Sequence, residues 1–399
     1  MQNAAIASVL PVYQRIDLNF ERGEGSWLIT DDGRRFLDFA SGIAVTGLGH
    51  NHPHLVKALT DQAGKVWHVS NLFRIKGLED LADRLVANSF ADTVFACNSG
   101  AEAVEACIKM ARRYHWAKGN PERNRIITFH GSFHGRTMAT ISAAGEGRLT
   151  DGFAPLLDGF DQVPFGDHDA LETAINETTA AIMIEPVQGE GGIRPIPQQC
   201  LEGLRRLCDE HGLLLIFDEV QCGMGRSGHL FAHQSYGVEP DIMSSAKGLG
   251  GGFPIGACLA TANAASGMSR SSHGSTFGGN PLACAVANAV LDVMLADGFL
   301  AEVQRKAEFL HDQLAAKIAE FGDVMELVRG RGLMVGIKTH VPNTEFAQAL
   351  RDQEMLSVPA ADNVVRLLPP LTASDEEIGI AIERVGAAAQ TFAHKAEVA

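Results

Sequence analysis

The 399-residue chain has seven cysteines (Cys97, Cys107, Cys200, Cys208, Cys222, Cys258 and Cys284), and no two form a C-x-x-C pair. That scatter excludes a disulfide framework and a thiolate metal site of standard spacing, and it leads us to expect reduced, mostly buried thiols in a cytoplasmic protein. Basic residues are scarce: 33 Lys and Arg against 48 Asp and Glu leave a formal charge of -15. Without a basic stripe to offset that charge, nucleic acid is not an expected partner. Long apolar runs are absent as well; none approaches the roughly 20 residues of a membrane-spanning helix, so no membrane role is expected. The opening MQNAAIASVLPVYQR has neither the basic start nor the apolar core of a secretory signal. Histidines crowd at Gly49 to His54 and at Phe129 to His134, yet no acid or thiol stands beside them at a ligand spacing, so no metal is expected.

What remains is an ordinary globular composition, 46% hydrophobic and 20% charged, on a chain long enough for two domains. Turn signals at Gly23, Gly25 and Asp31 to Gly33 separate short alternating stretches (Ser26 to Thr30, Arg35 to Phe39), the pattern of an antiparallel meander. From Pro53 the pattern becomes helical. From Val94 short apolar runs alternate with helical ones: strands are expected at Thr93 to Cys97, Arg125 to Phe129, Ala181 to Glu185, Leu213 to Phe217, Ile242 to Ala246 and Ala257 to Thr261. Helices are expected at Gln198 to Glu210, Pro281 to Ala296 and Leu300 to Phe321, and strand-like text returns at Gly332 to Lys338 and Val364 to Leu368. This order predicts an α/β fold: a large domain (53–295) with a mainly parallel, doubly wound sheet, and a smaller α+β domain from both termini (1–52 and 296–399).

Two residues stand out. Asp218 follows the run Leu213 to Phe217, and Lys247 ends the run Ile242 to Ala246, just before Gly248, Gly250, Gly251 and Gly252. Short continuous apolar runs are strands covered on both faces, and open α/β sheets bind ligands at the carboxyl ends of their strands. One acid and one lysine at such an edge suit pyridoxal phosphate: the lysine forms the Schiff base, and the carboxylate keeps the pyridine nitrogen protonated. Gly223, Gly225 and Gly228 spell G-x-G-x-x-G in the same stretch, which alone would suggest a nicotinamide oxidoreductase. The acids that should follow the next strand, Glu239 and Asp241, come before it instead, and Arg226 crowds the turn with charge.

Other motifs converge on the same edge. Asn98 to Ala103 open a helix after the strand Thr93 to Cys97; Ser99 and Glu102 have capping-box spacing, and Gly100 permits close backbone approach, as a phosphate at a helix amino terminus requires. No Gly-Lys-Ser/Thr follows, so this is not a nucleotide P-loop. Phe133 offers an aromatic face, and Arg136 a fork for a carboxylate. Glu190, in a glycine-rich stretch after Ala181 to Glu185, reaches the same edge. Arg366 is a lone charge in an apolar segment and needs an anion there, either Glu190 or a substrate carboxylate. His273 to Pro281 form a polar loop able to offer hydroxyls.

Together Asn98 to Ala103, Phe133 to Thr137, Asp218 to Gln221, Ser245 to Gly248 and Gly274 to Pro281 resemble the class III aminotransferases of pyridoxal phosphate fold type I, over essentially the whole chain. The resemblance implies Lys247 as the Schiff-base lysine and Asp218 as the pyridine partner, with Glu219, Val220 and Gln221 beside it. It further implies Phe133 stacked on the ring, and Gly100, Ala101 and the partner subunit's Thr276 on the phosphate, hence a homodimer with shared sites. Arg136, assisted by Ser275, would hold the remote substrate carboxylate. Arg366 would hold the α-carboxylate of glutamate or 2-oxoglutarate and pair with Glu190 when an ω-amine occupies the site. Asp38 to Val45, Trp67 to Phe73 and Phe133 to Thr137 are most similar to members that act on acylated ornithine; Ile43 stands where members that act on free ornithine carry a tyrosine. The expected reaction is transamination between N2-acetyl-L-ornithine and 2-oxoglutarate. Succinylornithine, ornithine, succinyl-diaminopimelate and 4-aminobutyrate are the alternative donors.

Overall fold

A computed structural model describes residues 8–398, with side chains described to residue 393. The absence of a secretory signal was read partly from residues 1–7, which lie outside the described residues.

The central sheet has seven strands, in the order Thr93–Cys97, Gly256–Ala260, Ile242–Ser245, Leu214–Asp218, Thr179–Ile184, Arg125–Phe129 and Phe160–Val163. All neighbours pair in parallel except Gly256–Ala260, which runs antiparallel to both of its partners. Leu214–Asp218 lies in the middle and is buried throughout. Its alternate residues pack into different clusters: Leu214 and Ile216 meet Val104, Cys107 and Ala111 of the helix Gly100–Ala117, whereas Leu215 and Phe217 share a cluster with Leu201, Leu204 and Cys208 of the helix Gln198–His211. Period-two alternation between two helical layers is what makes the run read as uniformly apolar.

The remaining strands form two four-stranded sheets and a two-stranded hairpin, Val187–Gln188 with Arg194–Pro195, whose turn carries Glu190. Phe20–Glu24, Trp27–Thr30 and Arg35–Asp38 make the expected meander, and Met355–Leu356 joins it beside Arg35–Asp38. Met325–Arg331, Met334–Thr339, Val364–Leu367 and Val358–Ala360 make the second sheet, with Arg366 on an interior strand opposite Gly336 and Val358. Pro281–Met294 and Phe299–Glu320 are set at 71° to each other across a break at Gly298, whose φ is +80°. Among the described residues no single helix is long and apolar enough to cross a membrane.

Two boundaries depart from the sequence reading in ways that bear on the site. The central strand runs one residue further, so Asp218 closes it and is in register with Ser244. The strand before Glu185 ends at Ile184, leaving Glu185 as the first residue past it. Phe160–Val163, an edge strand buried only at its two ends, escapes the sequence reading because its centre is Asp161-Gln162.

Candidate active site at the carboxyl edge of the central sheet

A cavity of about 410 Å³ opens at this edge, lined among others by Ser99, Gly100, Ala101, Phe133, Arg136, Glu185, Asp218, Val220, Gln221 and Lys247. That size suits a small-molecule ligand. Three donors fix the Asp218 carboxylate: Ser244 Oγ at 2.9 Å and Val220 N–H at 3.1 Å on Oδ1, and His134 Nδ1 at 2.7 Å from Oδ2. For His134 burial alone would lower the proton affinity, but the hydrogen bond and charge of Asp218 together with the charge of Glu185 outweigh it and leave the imidazole raised. Lys247 sits in the left-handed region at φ +45°, a strained placement for a non-glycine residue. Burial lowers its pKa.

Gly100 begins the helix at the cavity wall. Ser99 caps it by accepting the Glu102 N–H at 3.2 Å, while the Glu102 carboxylate accepts the Asn98 N–H at 2.6 Å, one residue beyond the N-cap that a regular capping box uses. A Cβ on Gly100 would stand 2.7 Å from a Val220 methyl, so a side chain there would fill the cradle. The first amides of such a helix have no intrahelical acceptor. His134 Nε2 is buried without a partner in the protein. An anion cradle, an aromatic wall at Phe133, a firmly held carboxylate and a lysine around one cavity fit pyridoxal phosphate.

Arg136 is exposed, its guanidinium 5.4 Å from the centre of the Phe133 ring. Arg366 is only 1% exposed and meets Glu190 through both nitrogens, at 2.5 and 3.1 Å; its Nη1 also donates to Gln221 Oε1 at 3.2 Å. The lone charge of the sequence therefore has its anion, and Gln221 connects the pair to the cavity.

Six expected residues do not line the cavity: Arg366 and Glu190, which reach it only through Gln221, and four others. Glu219 points away: Oε2 accepts from Ala232 N, and Oε1 from His233 N and Nδ1, so its carboxylate is spent on the loop after Leu230. Ser275 Oγ binds Asn98 Nδ2 and Gly278 N at 3.1 and 2.9 Å. Thr276 is exposed, and so is Ile43, at 36%, on a turn whose residues 41–44 all have positive φ. The Gly223 to Gly228 loop opens no helix; Arg226 is buried there and donates to the carbonyls of Leu333 and Pro369. The crowded histidines divide: His50 pairs with Asp38, His54 with Asp292, and His134 with Asp218. Sequence reasoning missed His134, Ser244 and Glu185. Nothing local marks them, since each reaches the site through strand order.

Comparison with known proteins places this geometry. Residues 10–388 match the family Aminotransferase class-III. An acetylornithine aminotransferase of Mesorhizobium japonicum is 62% identical, covering 98% of each chain. The solved N-acetylornithine aminotransferase of Stenotrophomonas maltophilia is 42% identical, covers 96% of this chain and 98% of its own, and superposes with a TM-score of 0.84. An ornithine aminotransferase of Toxoplasma gondii, described with partial occupancy of pyridoxal phosphate at its active site, is 30% identical over 96% and 93% of the two chains, with a TM-score of 0.92.

Proposed function

The chain belongs to the class III aminotransferases, and from that premise we propose that it transfers the side-chain amino group of N2-acetyl-L-ornithine to 2-oxoglutarate. The products are N-acetyl-L-glutamate 5-semialdehyde and L-glutamate, a step of arginine biosynthesis. Pyridoxal phosphate is its cofactor. When bound, the cofactor supplies an electrophilic carbon that takes amines covalently and a protonated ring that accepts the electron pair left by the departing proton.

The residues divide that work. Gly100 and Ala101 N–H groups hold the phosphate, joined by the partner subunit's Thr276; Phe133 covers the ring, and Val220 and Gln221 complete its wall. Asp218 holds the proton on the ring nitrogen. Lys247 Nζ anchors the resting cofactor and then carries the substrate proton; its burial-lowered pKa raises the share of free amine near neutral pH. Arg136 binds the remote carboxylate of either substrate, with Ser275 behind it. Arg366 binds the α-carboxylate of glutamate, and Glu190 takes that place when the ω-amine donor enters.

One observation carries this reading: the Arg366–Glu190 pair, buried on the arginine side, lies next to a cavity that also holds the exposed Arg136. A second carboxylate site that can be covered suits an enzyme alternating between a dicarboxylate and an acylated amine. Exposed Trp67, Leu72, Phe73 and Phe277 (64, 88, 69 and 61%), with Thr276 beside the last, support a homodimer. The separation of the seven-stranded sheet from the two four-stranded sheets supports the division into 53–295 and the two terminal segments. Free cysteines among the described residues support a reducing, cytoplasmic setting. The test is kcat/KM with 2-oxoglutarate across N2-acetyl-L-ornithine, N2-succinyl-L-ornithine, L-ornithine, N-succinyl-L,L-diaminopimelate and 4-aminobutyrate. Acetylornithine is expected to lead. A lead by another donor would reassign the donor and leave the chemistry intact.

A further inference from the structure

Glu185 has no role in the chemistry above, yet it lines the cavity and is 4% exposed. Its two oxygens serve two different loops. Oε1 accepts the Phe133 N–H at 2.9 Å, and Oε2 accepts the Gly189 N–H at 3.1 Å. The first loop carries Phe133 and Arg136; the second carries Glu190, which covers Arg366. The loops also touch directly: Gln188 Nε2 donates to the His130 carbonyl at 3.2 Å, and a Cβ on Gly191 would lie 2.7 Å from the Gly131 carbonyl. On its far side the second loop is tied to the second small sheet, where Ala361 N–H donates to the Glu190 carbonyl at 3.0 Å and Arg329 Nε to the Gly192 carbonyl at 2.7 Å.

We propose that Glu185 is a positioning residue for substrate length: by accepting both amides at once it fixes the spacing between the Arg136 loop and the Glu190–Arg366 pair. The inference rests on the carboxylate roles given above but not on the identity of the amine donor. A five-carbon dicarboxylate spans the two arginines only while that spacing is held. Once one amide is released the span is no longer defined, and discrimination between five- and four-carbon dicarboxylates relaxes.

The bridge needs an ionised carboxylate, because a protonated one turns one oxygen into a donor facing an N–H. Burial pushes Glu185 up to about 7, against the pull of His134 and the two amides, with Asp218 adding to the rise; Lys247 also faces it. As a raised carboxylate it loses its charge as pH falls through that value, so the bridge is complete above it and weakened below. Titration of Lys247 and His134, and of the substrate amine, affects both amino acids alike and cancels in a ratio.

The experiment is the single-turnover half-reaction of the cofactor-loaded enzyme with L-glutamate and with L-aspartate, in wild type and in Glu185→Gln, from pH 6 to 8.5. Losing one hydrogen bond to a charged group lowers the glutamate-to-aspartate ratio of kcat/KM by about tenfold or more. In wild type the ratio falls as pH drops through about 7; in the glutamine variant it is low and flat. An unchanged ratio in the variant, an equal loss with both substrates, or a wild type that does not discriminate would each overturn the proposal. If the variant fails to fold or to hold cofactor, the wild-type pH profile decides alone, and a flat ratio overturns it. Inactivity with acetylornithine would strike the donor assignment without touching this result.

Discussion

The floor of the cavity and its recognition end are built differently. The floor comes mainly from strand ends of one sheet: Asp218 and Ser244 are register partners, Lys247 follows the next strand by two residues, and His134 closes on Asp218 from the loop after Arg125–Phe129. The recognition end is assembled from separate parts: an exposed Arg136, Glu190 on a glycine-rich loop, and Arg366 from another sheet, 176 residues from its partner. In the proposed function the first part handles the reacting carbon and is common to any amine. The second tells substrates apart, and two of its three charges, Arg136 and Glu190, sit on loops while Arg366 sits on a strand. Precise sites sit best on regular elements, and adjustable ones on loops.

That contrast predicts how damage is distributed. The largest effect belongs to Lys247→Ala, which removes both the anchor and the proton carrier; the loss in kcat should exceed the 10²–10⁴-fold typical of general acid–base catalysis alone. Borohydride should no longer fix the cofactor to the protein, and label appearing on another lysine would refute the assignment. Asp218→Ala should come next, about a thousandfold in the chemical step, or roughly 4 kcal/mol, with the fold kept. Ser244→Ala removes one of three donors to the same carboxylate and should cost about tenfold or somewhat more, well short of Asp218→Ala. Should Ser244→Ala match Asp218→Ala, the floor would be less redundantly held than its geometry indicates.

The two regions were also unequally legible in the sequence. Asp218 and Lys247 end apolar runs, and the burial that makes a strand uniformly apolar also announces where it stops. The helix at Gly100, the Phe133 loop and the lone Arg366 were readable for similar local reasons. Glu219 misled because alternation was not carried one residue past the strand: with Asp218 facing the cavity, its neighbour faces the other way, towards Ala232 and His233. Ser275, Thr276 and Ile43 do not line this cavity, and the roles given to them depend on resemblance, for Thr276 on a second copy. His134, Ser244 and Glu185 were silent because their meaning lies in which strand neighbours which, and Leu214–Asp218 lies between strands from either side of it in sequence.

The central claim, that one arginine serves both substrates and the other only glutamate, is tested most directly by single-turnover kinetics of Arg136→Ala and Arg366→Ala in the two half-reactions. Losing a partner of a desolvated charged contact costs about 2–5 kcal/mol, well within reach of such a measurement. Arg136→Ala should impair the acetylornithine and glutamate halves alike, whereas Arg366→Ala should impair the glutamate half strongly and the acetylornithine half far less. Equal losses in both halves for Arg366→Ala, together with a large fall in melting temperature, would make Arg366 a structural anchor and contradict the account.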